Sequence, residues 1–371
     1  MSKKGVKIIQ RYGESFEEEC IRSFIWDYKN KAERFLSGSY YRDIFSIDYC
    51  NAFDRMMEEL KVVRKNGYIY QYCVAKMVQD YCIRHNKLAC PMGNAANSFL
   101  SFLYGITDPY IDPLEMELST NMLFGLHMER EPVFIIAISP GFSQKIIRYL
   151  YKRFGKHAVS INGYGGVMVS VKYDSKMIHT SLVLVEDPFV EAAEEYLNKY
   201  SRDFSHFVWE NFAFSGFPNK ELDDRERNVF IRFIETADNV DEEIRKDSEL
   251  FSDSALGKSF DSLVTAIGIV KGKRIWPNFI HSKQKNTKLL YTNRDDVYTY
   301  CLSLTGNAES AYSVMDNVRK GKGLSKKIKQ QFPDPSLADE LAALWNGVYM
   351  PFKGTCLMYA KLICYIASEL K

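Results

Sequence analysis

Pro132-Val-Phe-Ile-Ile-Ala-Ile138 is the least interrupted apolar run in the chain. Glu129, Arg130 and Glu131 precede it, and Ser139-Pro140-Gly141 closes it. A run this short, bounded by charge on one side and a turn signal on the other, predicts a strand buried on both faces rather than a helix. Its side chains offer no acid, base or metal ligand. A central strand that carries no chemistry of its own becomes the main clue to function.

The rest of the chain is ordinary in bulk. Its 371 residues suffice for two or three domains with their own cores. With 46% apolar and 26% charged residues it reads as a globular protein. A net charge of +2 neither requires nor excludes a nucleic-acid partner, so the distribution of charge has to decide. The eight cysteines show no C-x-x-C spacing, which argues against a zinc knuckle. Met1 to Gly5 leads into mixed charge, so no secretory signal is expected, and no apolar run approaches the ~20 residues of a membrane span. The expectation is a reduced, cytoplasmic protein without membrane contact, with its thiols mostly in the core.

Helical periodicity dominates the first third. Residues 14–37, 52–66 and 69–85 each carry an apolar stripe, the second built from Phe53, Met56, Met57, Leu60 and Val63. Between Ala89 and Phe99 the pattern breaks at Pro91 and Gly93, and small residues lead into a helix through Leu103. Free backbone N–H groups at such a helix start favour an anion, so a phosphate cradle stands beside a plain packed loop as a reading. Ser143 to Gly155 is a punctuated helix, with Ser143 as cap and Ile146, Ile147, Leu150 and Phe154 inward. Its outer face is basic: Lys145, Arg148, Lys152, Arg153 and Lys156. A solvated face is the plainer reading, a phosphate-contacting one the sharper. Residues 159–185 alternate as strands around Asn162-Gly-Tyr-Gly-Gly166 and Asp174-Ser175. The composition turns acidic over 221–250 and basic beyond 259, with one cluster at Lys271–Lys288 and a second at Arg319–Lys329. Two such clusters in one helical region raise the odds of a polyanion partner.

Several stretches, in order, resemble the bacterial C-family replicative DNA polymerase, the polymerase III alpha or PolC type. Asn293-Arg-Asp-Asp-Val-Tyr-Thr-Tyr300 followed by Ala311-Tyr-Ser-Val-Met-Asp-Asn-Val-Arg-Lys-Gly-Lys-Gly-Leu324 is similar to two fingers segments of that family at similar spacing. Tyr349-Met-Pro-Phe-Lys-Gly-Thr355 through Tyr359 is similar to a third. Gly93-Asn94, Ser98-Phe99, Gly105-Ile-Thr107 and Asp112-Pro-Leu114 resemble the palm. The resemblance implies an α+β fold: a polymerase-beta-like nucleotidyltransferase palm, a small mixed sheet with helices, then a mainly helical fingers-like domain. The implied division is a helical N-terminal extension over 1–50, a palm with its thumb deleted over 51–220, and fingers over 221–371.

The departures are as informative. The resemblance sets Pro132 to Ile138 on the strand whose aspartates hold two Mg²⁺ ions in the family. The equivalent positions are Val133, Ile135 and Ala137, without an oxygen donor among them. The third carboxylate is expected near Phe212-Ala-Phe-Ser-Gly216, where no Asp stands. The loop Arg is Met92, and the fingers His is Thr355.

The leading expectation is therefore a catalytically inactive homologue without a cofactor or catalytic residues. It would bind nucleic acid or a replisome protein, with phosphate or nucleotide contacts from Gly93, Asn94, Ser98, Lys271, Arg319, Lys320, Lys353 and Tyr359. The alternative is an active DNA-directed polymerase or nucleotidyltransferase with relocated carboxylates, in which Glu129, Glu131, Asp108 and Asp112 would hold Mg²⁺. A third reading is a mimic of the polymerase core that engages a replication protein.

Overall fold

The computed structural model describes residues 3–36, 42–107, 112–162, 165–173, 176–200, 224–236, 244, 259–281 and 290–369. They fall into two compact units, the first holding the described residues up to Glu194 and the second residues 195–200 with the described residues from 224 onward. Each mixes or stacks its elements as an α+β chain should: one small sheet in the first unit, and helices almost throughout the second.

The first unit begins with three long helices, α1 (Lys3–Leu36), α2 (Arg42–Asn66) and α3 (Ile69–Ile83). Gly67, at φ 71°, turns the chain between α2 and α3. There follow β1 (Cys90–Met92), α4 (Phe99–Leu103), α5 (Thr120–Phe124), β2 (Phe134–Ile138) and α6 (Ser143–Phe154). Strands β3 (Val159–Ile161), β4 (Gly166–Tyr173) and β5 (Lys176–Glu186) and the start of the helix α7 (Pro188–Tyr200) complete it. The sheet order is β1-β2-β5-β4-β3. Only β2 and β5 run parallel, with Ile135 beside Val183 and Ala137 beside Val185. β1 pairs antiparallel to the other edge of β2, setting Met92 beside Ile135 and Cys90 beside Ala137.

Strand alternation gives the sheet two different faces. Phe134, Ile136 and Ile138 join Val167, Val169, Leu182 and Leu184 in one core with Phe16 and Phe24 of α1, Leu60 and Val63 of α2, Tyr72 and Val78 of α3, and Ile146 and Leu150 of α6. Tyr72 meets Phe134 edge to face at 5.0 Å between centroids. The helix expected as an N-terminal extension is thus built into this core through Phe16, Cys20 and Phe24. The opposite face is less covered. Ile135 is half-buried, Val133 is 37% exposed, and Ala137 is fully buried. The expectation of a strand buried on both faces is corrected here: the helical layer seals one face and leaves the other partly open.

α6 also departs in one detail. Phe142, not Ser143, is its N-cap residue, and the Ser143 hydroxyl donates instead to Glu186 on β5. The inward positions Ile146, Ile147, Leu150 and Phe154 are all buried, and Gly155 ends the helix at φ 95°.

The second unit contains α8 (Asp224–Thr236), α9 (Phe260–Lys271), α10 (Ile275–His281), α11 (Arg294–Thr305), α12 (Ala308–Arg319), α13 (Lys326–Lys329), α14 (Pro335–Leu344) and α15 (Lys353–Glu369). Local caps define these helices. Ser259 and Ser262 form a reciprocal capping box on α9, Asn293 accepts from the Asp296 amide on α11, and Asn307 caps α12. Gly306 ends α11 in the left-handed region. Lys273 and Tyr349 exchange two backbone hydrogen bonds at 2.9 and 3.1 Å, tying the segment after α9 to the one before α15. Within the acidic stretch, residues 221–223, 237–243 and 245–250 lie outside the described residues, as do the site near Phe212 and Lys283, Lys285 and Lys288 of the first basic cluster. Cys20, Cys73, Cys82, Cys90, Cys301, Cys356 and Cys364 are all buried.

Candidate functional site

The partly open face around β2 is where metal chemistry would have to be built. Val133, Ile135 and Ala137 project to this side, and their neighbours on the flanking strands are Met92, Cys90, Val183 and Val185. Mg²⁺ needs oxygen ligands, and none of these side chains offers one. The residues present do not fit a two-metal centre. Among the described residues no group of three or more His, Cys, Asp or Glu side chains is arranged to hold a metal ion. Three described carboxylates near β2 accept hydrogen bonds. Asp187, buried just past β5 with its amide on the Ile138 carbonyl at 2.8 Å, accepts from the Phe189 amide at 2.9 Å. Glu131 accepts from Gln71 Nε2 at 2.8 Å, and the buried Asp112 accepts from the Leu114 amide at 2.9 Å. Asp108 lies outside the described residues.

The loop from Gly93 to Ser98 is a tight helical turn, entirely buried, that leads into α4. Its expected role as an anion cradle is corrected in one respect: the anion is already there. Glu59 of α2, fully buried, accepts from the Phe99 amide at 2.9 Å, the Leu100 amide at 3.1 Å and the Ser98 hydroxyl at 2.9 Å. Arg55, one helical turn earlier, pairs with the same carboxylate at 2.7 Å and also donates to the Asn97 carbonyl. Tyr72 shares a hydrogen bond with Ser98 at 2.9 Å, and Asn94 donates to the Met122 carbonyl. Ser98 therefore serves an internal carboxylate at the start of α4, the same electrostatics that would otherwise suit a phosphate, while Asn94 ties the loop to the Met122 carbonyl. A signal for Glu59 was present in the sequence. It sits on the apolar stripe of α2, between Met56 and Leu60, and four residues after Arg55.

In the second unit the remaining candidates separate into two places. The Lys353 ammonium lies 3.2 Å from Asp296, and its amide donates to Asp295 at 2.8 Å. Arg294 is buried, donates to the Met350 carbonyl at 2.7 Å, and lies over Phe352 at 4.2 Å from the ring centroid. Lys271 stands over the buried Tyr359 ring at 4.3 Å and over Phe233 at 5.2 Å. Burial pushes the Asp261 carboxyl up, with Lys353 pulling the other way. This is an interlocked charge and aromatic cluster built by α8, α9, α11 and α15. Arg319 and Lys320 lie elsewhere, at the end of α12. Both are exposed and both pair with Asp316, Arg319 at 2.8 Å. Burial alone would raise the Asp316 carboxyl, but hydrogen bonds from Lys320 and Arg319 hold it below its ordinary value. Asp316 was missed in the sequence, although its spacing to both cations gives it away.

Comparison with known proteins bears on the first unit. Residues 32–177 match the family model described as the bacterial DNA polymerase III alpha NTPase domain, a span that includes β2 and the Glu59 loop. Individual relatives are similar over shorter stretches. The DNA polymerase III PolC-type of Clostridium perfringens is 30% identical over 115 residues, 30% of this chain and 8% of that protein. The DNA polymerase III subunit alpha of Staphylococcus epidermidis is 29% identical over 113 residues, 29% of this chain and 10% of that protein. The error-prone DNA polymerase of Rhodopseudomonas palustris is 24% identical over 104 residues, 28% of this chain and 8% of that protein. The matched stretch thus spans a tenth or less of these relatives' length. These matches support kinship with the polymerase III alpha family. Among the described residues no helix is long and apolar enough to cross a membrane.

Proposed function

We propose that this chain is a non-catalytic relative of the polymerase III alpha core that acts in DNA replication by binding nucleic acid, with a palm-derived first unit and a fingers-derived second unit. The observation that carries the reading is the β2 face. The two strands hydrogen-bonded to β2 add only Met92, Cys90, Val183 and Val185 around Ile135 and Ala137. None of these four side chains offers Mg²⁺ an oxygen ligand. Phosphate contacts then fall to cations by charge alone, without sequence specificity. Candidates are Lys353, Arg319, Lys320, the α6 face and, less accessibly, Lys271.

Two assays test this reading on the full chain. Primer extension with Mg²⁺ or Mn²⁺ is expected to yield no template-directed product. Any incorporation lost on Glu131→Gln would instead favour the alternative of an active polymerase with relocated carboxylates. Filter binding across a salt series is expected to show affinity falling steeply with salt, whereas no binding at low salt would overturn the nucleic-acid role. Recovery of a replication protein in a pull-down, with no oligonucleotide bound, would favour the mimic of a polymerase core.

A further inference from the structure

The described surface of the first unit contains a groove of about 590 Å³ lined by Tyr81, Arg84, His85, Lys145, Arg148, Tyr149, Lys152 and Arg153. It lies between the C-terminal end of α3 and the outer side of α6, on the helical layer, away from the β2 face considered above. Five of its lining residues are permanent cations and none is a carboxylate. Among the described residues, no ion pair neutralises any of the five. Glu19 and Asp80 line an adjoining pocket on the far side of Arg84 and Arg153. Asp80 is held by Lys76 at 2.9 Å and Tyr12 at 3.3 Å, and Glu194 is paired with Lys87.

The groove is built rather than incidental. Tyr81 stacks on Tyr149 at 4.2 Å and meets His85 at 4.1 Å, which makes a continuous aromatic floor. Arg153 stands 5.2 Å from the Tyr149 ring, and Lys145 stands 5.6 Å from Phe142 at the groove's margin. Cation–π contacts of this kind hold the charged groups over the floor and leave their N–H donors for a ligand. Lys145, Arg148 and Lys152 recur every three or four residues, so they line one side of α6 for about 10 Å at 1.5 Å per residue. Like charges at this spacing destabilise a helix, a cost that a bound polyanion relieves.

We infer that this groove binds the phosphodiester backbone of a single-stranded nucleic acid. Its volume lies within the range of about 300–1,000 Å³ typical of small-ligand sites, and the aromatic floor beside the cations offers a stacking surface that unpaired bases can use and paired ones cannot. A row of cations beside aromatic rings is the combination that tracks a flexible strand without reading its sequence. The inference rests on the nucleic-acid reading proposed above and places the contact on the helical layer of the first unit.

The test is fluorescence anisotropy with the full chain and a labelled oligothymidylate of about 15 nucleotides, over about 50–200 mM salt. Arg148→Glu with Lys152→Glu is expected to weaken binding about tenfold or more. The salt slope should fall by about 1.4, two contacts at ~0.7 each for a single strand. Lys61→Glu with Lys65→Glu on α2 changes net charge equally and is expected to shift affinity by less than about threefold, since neither lysine lines the groove. Arg148→Gln with Lys152→Gln gives a milder version that guards against misfolding, and the melting temperature of each variant is read alongside. Wild-type binding unchanged by both groove variants would overturn this inference and leave the general reading standing. No binding by the wild type at all would overturn both. A duplex bound as tightly through the same residues would overturn the single-strand assignment, and inorganic polyphosphate competing equally per charge would overturn the assignment to nucleic acid.

Discussion

Glu59 shows how one carboxylate can decide whether a loop binds a ligand. Its oxygens take the Phe99 and Leu100 amides and the Ser98 hydroxyl, and its charge is matched by Arg55. Removing it would leave two buried amides without a partner and strip the half-buried Arg55 of its counter-charge, its bonds to the Asn97 and Leu118 carbonyls remaining. Glu59→Ala is expected to cost about 3–5 kcal/mol in urea unfolding, and Glu59→Gln less, because an amide oxygen still accepts. A loss below about 1 kcal/mol for the alanine variant would mean that water fills the site readily. Asp316 acts at the same scale on the surface. Its folded pKa lies below its unfolded value because Lys320 and Arg319 hydrogen-bond to the charged form. Its contribution to stability is therefore present above the ordinary Asp value of about 3.9 and is lost as pH falls through the lower folded value. Melting temperatures measured from pH 6 down to pH 2.5 should show Asp316→Asn losing less over this acid limb than the wild type. At neutral pH the same variant frees Arg319 and Lys320, so oligonucleotide affinity is expected to rise by about two- to fivefold if these cations touch phosphate.

At the scale of the element, β2 separates two positions that the sequence pattern treats alike. Ile135 and Ala137 share a face, but Ile135 is half-buried and Ala137 fully so, between Cys90 and Val185. Ala137→Asp is expected to bury an unpaired carboxylate and abolish cooperative unfolding, whereas Ile135→Asp should fold with a loss of about 1–3 kcal/mol, read from urea melts. Equal effects would mean that the face is closed throughout. The contrast also marks what was legible beforehand. The strand itself could be read from its length and its flanking turn residues, and α6 from its apolar spacing and Gly155, because both signals are local. The Arg319, Lys320 and Asp316 triad was local too and was overlooked. The half-open face and the pairing of Glu59 with an amide pair some forty residues later depend on how distant segments pack, so no local pattern in the sequence announces them. The Phe212–Gly216 stretch, where the resemblance sets the third carboxylate position, lies outside the described residues; among the described strands β5 runs beside β2, with Val183 and Val185 facing the same side.

Over the whole molecule, a net charge of +2 conceals two different uses of basic residues. Near α12 Arg319 and Lys320 share Asp316, and Lys329 pairs with Asp339 at 2.7 Å. Along α6 they stand together without an acidic partner among the described residues. Binding of a polyanion should therefore depend on local contacts more than on long-range attraction, which a near-neutral molecule supplies weakly. Metal dependence separates this arrangement from that of a polymerase. A protein that binds Mg²⁺ in its folded state alone gains about 2.7 kcal/mol at a hundredfold excess over Kd, a shift of several degrees in melting temperature. A melt responds to every carboxylate of the chain at once, wherever it lies. Melting in EDTA and in about 10 mM Mg²⁺ is expected to agree within about 1 °C once ionic strength is matched, because the β2 face has no oxygen ligand to contribute. A Mg²⁺-specific rise of several degrees, absent with an equivalent monovalent salt and abolished by Glu131→Gln, would mean that carboxylates from another part of the chain converge on a metal, and the chain would have to be read as an enzyme.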